Sequence, residues 1–89
     1  MSQVNADISE LETAMQSLQQ IKSTVEDQQG AANSAAEVIA NAWTDVRGQR
    51  MAKDCRESAQ TFGFLLESLD ANLDILLRKI EELKAVLET

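Results

Sequence analysis

The chain has no proline, no histidine and no tyrosine, and its 89 residues include only three glycines, two phenylalanines, one tryptophan and one cysteine. Each scarcity excludes something. Without proline, and with glycine only at Gly30, Gly48 and Gly63, little interrupts a helix. Runs of β-branched residues and Asn-Gly or Asp-Gly turns are missing, so strands are not expected. Cys55 is alone, so it has no partner for an intramolecular disulfide, and without histidine no zinc set can be assembled around it. No metal and no cofactor is expected. No apolar run approaches the roughly 18 residues of a membrane span. Residues 1–20 lack the basic start and apolar core of a signal peptide. A cytoplasmic location is therefore expected, with export by a non-Sec route left open. The net charge of −7 disfavours nucleic acid and anionic membrane surfaces as partners.

What is present is the vocabulary of helices: Ala, Leu, Glu, Gln, Lys and Ser. With 44% hydrophobic and 26% charged residues the chain reads as one folded domain, residues 1–89. Val4, Ile8, Leu11, Met15, Leu18, Val25, Ala32, Ala36, Ile39 and Trp43 fall on one repeat of alternating three and four, with Lys22 and Gln29 as its polar members. That spacing marks a helix packed lengthwise on another. Ala14, Ile21, Ala35 and Ala42 widen the stripe on one side, as suits a helix inside a bundle. A second stripe runs through Ala52, Cys55, Ala59, Phe62, Leu66, Leu69, Leu73, Leu76, Ile80, Leu83 and Leu87, flanked by Met51, Leu65 and Val86 on one edge and Leu77 on the other.

The phase breaks between Trp43 and Gly48, where Thr44 and Asp45 are turn and N-cap types. The pattern predicts an all-α antiparallel hairpin, with helices over about 4–42 and 46–88. Residue i then faces roughly residue 90 − i. Large side chains meet large ones far from the turn (Leu18 with Leu73, Leu11 with Ile80, Val25 with Leu65 or Leu66). Small ones meet small ones near it, where Ala32 and Ala36 face Ala52, Cys55 and Ala59. A single seam covers little surface against the entropy of ordering some 80 residues, so association is expected.

Four places are candidate functional sites. Trp43, at the hairpin tip, either caps the small-residue end of the seam or anchors a partner. Phe64, Ala71 and Ile75 lie opposite the second stripe. Eleven residues separate Phe64 from Ile75, which returns to within about 20° on a helix, so the two share a face that the hairpin leaves wet. Arg47, Arg50, Lys53 and Arg56 recur every three residues and are either a solvated face or a patch for an acidic partner. Lys22 and Gln29 either fix register or sit at the seam edge and reach for water. No catalytic constellation is visible: the fifteen Asp and Glu lie mostly off the stripes, and Cys55 lies on one, beside small residues.

A helical hairpin with one tryptophan in its mid-chain turn resembles the WXG100 (ESAT-6-like) family over nearly the whole chain. The motif here is Trp43-Thr44-Asp45, with Asp where the family has Gly; Gly48 follows three residues later. The resemblance implies a small protein serving a type VII secretion system and pairing with itself or another protein as a four-helix bundle. The family's C-terminal Tyr-x-x-x-Asp/Glu export signal has no counterpart, because the chain has no tyrosine. A partner would then supply the signal, as for accessory proteins that bind the helical N-terminal domain of a larger toxin. A non-enzymatic targeting factor of this kind is the expected function. The alternatives are an exported homodimer and a self-assembling coiled coil with no export role.

Overall fold

A computed structural model describes residues 7–88. They form two helices, α1 (Ile8–Ala42) and α2 (Val46–Glu88). At about 1.5 Å per residue these are roughly 52 and 64 Å long, and the molecule measures 67 × 15 × 14 Å. Its radius of gyration is 19.9 Å, against about 12 Å for a compact chain of this length. The hairpin is a rod with one seam.

The predicted start of the first helix is corrected by Asp7. Its backbone is extended, and its carboxylate accepts from the Glu10 N–H at 3.2 Å, so it is the N-cap and α1 begins at Ile8. Val4 to Ala6, placed in the helix by pattern, lie outside the described residues. α2 occupies the predicted span.

The seam follows the two stripes. From Ile8 to Ile39, and from Ala52 to Leu83, every stripe position is buried or half-buried, Lys22 and Gln29 included. Ala36, Ala52 and Ala59 seal the turn half, at 1, 0 and 3% exposure; Val25, Leu69, Ile80 and Leu83 fill the open half. The residues that widen the stripes, Ala14, Ile21, Ala35 and Ala42 on α1 and Met51, Leu65, Leu77 and Val86 on α2, are exposed. One neighbouring helix covers only a narrow strip, so a stripe broad enough for a bundle stays half bare.

Polar groups mark the register. Gln29 Nε2 donates to the Ala59 carbonyl at 3.1 Å. Lys22 Nζ lies 2.7 Å from Asp70, and Lys84 Nζ lies 2.9 Å from Glu12. The two ion pairs reach past the 90 − i rule. Helical side chains tilt toward their own N-terminus, so in an antiparallel pair Lys84 leans toward the tip and Glu12 toward the open end. The hydrogen bond to Asp70 and its charge raise the Lys22 pKa, with partial desolvation opposing and Glu26 adding a little.

Candidate functional site

The tip is built by Trp43, Thr44 and Asp45. Trp43 leaves the helix with φ −132° and ψ 91° while its N–H still donates to Ile39 O at 2.9 Å, so it is the C-cap rather than the last helical residue. Asp45 opens α2. Its Oδ1 accepts from the N–H groups of Arg47 at 2.9 Å and Gly48 at 3.1 Å, and its carbonyl accepts from Gln49 N–H at 3.0 Å. These groups satisfy donors that a helix start leaves open. The Gly48 N–H foremost, then the Trp43 side chain, hold the Asp45 carboxyl below its usual range; desolvation opposes them, and the Arg47 N–H adds the least.

Gly48 completes the tip. It is buried, and a Cβ added there would lie 2.5 Å from Trp43 Cγ, 2.7 Å from the Trp43 carbonyl carbon, and closer still to the carbonyl oxygen. α2 can come this near to Trp43 only without a side chain at 48. The tryptophan, the aspartate and the glycine of the turn are thus one packed unit. Gln49, which the sequence reading did not single out, reaches back from α2 and donates to Ala40 O at 3.2 Å and Trp43 O at 3.3 Å, covering carbonyls at the end of α1. Trp43 remains 41% exposed.

The long sides of the rod differ from each other. Turning α2 antiparallel to α1 brings the residues just before each stripe position onto one broad side, and those just after onto the other. The second side carries both cross-helix ion pairs, Lys22–Asp70 and Lys84–Glu12, together with Glu26, Glu37, Glu67 and Asp74. The first side carries no charged residue from Ala14 to Ala42 on α1 or from Ser58 to Ile75 on α2. It exposes Ile21, Val38, Leu65 and Ile75 by 47, 65, 45 and 64%. A shallow groove of about 400 Å³ lies along it, lined by Ser17, Gln20, Ile21, Thr24 and Val25.

Phe64, 69% exposed, and Ala71 stand at the outer edge of this uncharged side. With Ile75 they form the predicted face, which continues across the seam to Ile21. The sequence signal that finds the larger surface is the one-sided distribution of charge about each stripe. Arg47, Arg50, Lys53 and Arg56 are exposed near the start of α2 and wind half a turn around it, with Arg56 beside Gln29 and Asn33 of α1. Cys55 is half-buried in the seam. No group of His, Cys, Asp and Glu able to hold a metal occurs among the described residues, and no described helix is long and apolar enough to cross a membrane.

Comparison with family models, curated proteins and solved structures finds no match to this chain.

Proposed function

We propose that this protein is a non-enzymatic interaction module that pairs its helices with those of another protein, as a WXG100-like partner or targeting factor of type VII secretion. The observation that carries the reading is the uncharged side. A rod with net charge −7 keeps the middle of one long side free of charge and places Ile21, Val38, Leu65 and Ile75 on it in the open. Depletion of charge with exposed aliphatic and aromatic groups marks the core of an interface. The side is long and flat, which suits helices laid along it. The packed Trp43–Asp45–Gly48 turn and the hairpin form support the secretion-associated part of the reading.

Native mass by light scattering tests it, on the chain alone and after co-expression with helical proteins encoded beside it. A defined heterocomplex is expected, and Phe64→Glu or Ile75→Glu is expected to weaken it at least roughly tenfold, about 1.4 kcal/mol. A complex that both variants leave intact, or a chain that stays alone with every candidate, overturns the proposal. A dimer of this chain that ignores the candidates would assign the side to a second copy instead.

A further inference from the structure

The basic residues divide by place. Lys22, Arg78, Lys79 and Lys84, all away from the tip, each stand in an ion pair, at 2.7, 2.8, 3.2 and 2.9 Å. Arg47, Arg50, Lys53 and Arg56, all near the tip, make none among the described residues. Residues 46–56 thus hold half of the chain's eight cations and one of its fifteen acids, Asp54.

Arg47 also stands at the wrong end of a helix. The N-terminus of α2 carries the positive end of the helix dipole, where cations are unfavourable and acids are favoured. The first turn of α2 holds no acidic residue, yet it holds Arg47, with Arg50 just beyond. The carboxylate that caps this helix, Asp45, is engaged by Arg47 N–H and Gly48 N–H. Neither ion pairing nor the dipole gives the four a role inside the fold. Each step of three residues turns by about 60°, so Arg50 and Lys53 lie side by side on a ridge of the outer surface, with Arg47 and Arg56 half a turn apart at its two ends, about 14 Å from first to last along the axis. Val46, 74% exposed, lies one turn before Arg50 on the same surface.

We propose that this ridge is a docking surface for an acidic helical segment of a partner protein, separate from the uncharged side. Charge complementarity names the occupant: carboxylates spaced three or four residues apart on a helix match cations spaced by three. A nucleic acid fits less well, because no aromatic residue is interleaved with the four cations to stack a base and the rest of the chain is strongly acidic. The helix fixes the backbone of the ridge before binding, so only side-chain ordering opposes docking.

The test is fluorescence anisotropy with a labelled helical peptide of about 18 residues bearing Glu at every third or fourth position. Its Gln counterpart and a labelled oligo-dT serve as comparison probes. The Glu peptide is expected to bind, and to weaken as salt rises from about 50 to 200 mM. Arg50→Glu combined with Lys53→Glu is expected to reduce binding at least roughly tenfold, while Arg78→Gln changes it less than about twofold. The reversed pair sets acids four residues before Asp54 and Glu57, so its helicity and melting temperature are expected to be equal or slightly lower. Arg50→Gln with Lys53→Gln gives the same reading with a smaller charge change. No binding of the Glu peptide, equal binding of oligo-dT or the Gln peptide, or equal loss in Arg78→Gln overturns the proposal.

Discussion

Replacing Gly48 with alanine presses directly on the tip. The new methyl group would lie 2.5 Å from Trp43 Cγ and 2.7 Å from its carbonyl carbon, where ordinary contact begins near 3.4 Å. α2 must therefore retreat by roughly 1 Å. The carbonyl cannot easily give way, because the connection is tied at both ends by Trp43 N–H to Ile39 O and by the Asp45 cap. Overpacking of this kind costs about 1–3 kcal/mol, here toward the upper end because the methyl group meets backbone rather than the far end of a flexible side chain. Alanine recovers about 1 kcal/mol of helix propensity. The net expectation is a loss of about 1–2 kcal/mol, or about 4–16 °C in melting temperature. Gly30→Ala is the internal control: nothing lies within 4 Å of its added Cβ, so the same propensity term acts alone and stabilises by about 0.5–1 kcal/mol. Urea titration followed by far-ultraviolet circular dichroism reads both, at one fixed protein concentration so that association does not shift the midpoint. Trp43 emission reports the tip separately. A Gly48→Ala variant as stable as Gly30→Ala would refute the reasoning.

The other predictions concern the ends and faces of the helices. Asp45 has a depressed folded-state pKa, so its contribution is present above its ordinary value near 3.8 and is lost as pH falls through the folded value. Asp45→Asn keeps a capping oxygen without the titration, so its urea midpoint is expected to fall less steeply than the wild type's below about pH 4; parallel acid limbs would contradict this. Gln49→Ala removes the side-chain donor to Ala40 O and Trp43 O and is expected to cost about 0.5–1 kcal/mol by the same titration. Phe64→Glu and Ile75→Glu, at exposed positions, are expected to leave the urea midpoint of the uncomplexed chain within about 0.5 kcal/mol of wild type, which makes loss of complex in these variants a surface effect.

The seam was legible in the sequence because a single neighbouring helix imposes a strict period. Ile8 through Ile39 and Ala52 through Leu83 are covered in the order that the spacing of three and four implies. The exposure of Ile21 and Leu65 was not, because a stripe pattern records which residues are apolar and not how many neighbours come to cover them. Gly48 stands outside the Trp43-Thr44-Asp45 triplet in sequence. Its role arises from a close approach across a turn, five residues on from Trp43, and no periodicity reports such a contact. Gln49 was invisible for a similar reason: an exposed glutamine on a helix looks solvated until the carbonyls at the end of the preceding helix lie within its reach. The start of α1 follows Asp7 rather than the first apolar residue, because the helix begins where a side chain can take up an open N–H.

Hydroxyl-radical footprinting of the free chain and of its co-expressed complex tests the central claim most directly, since it reports which long side of the rod is covered. Protection of Ile21, Val38, Leu65, Phe64 and Ile75 is expected on binding, with Leu77, on the charged side, unchanged. Protection centred on Leu77 and the ion-paired side, or no protection on either side in a stable complex, would contradict it.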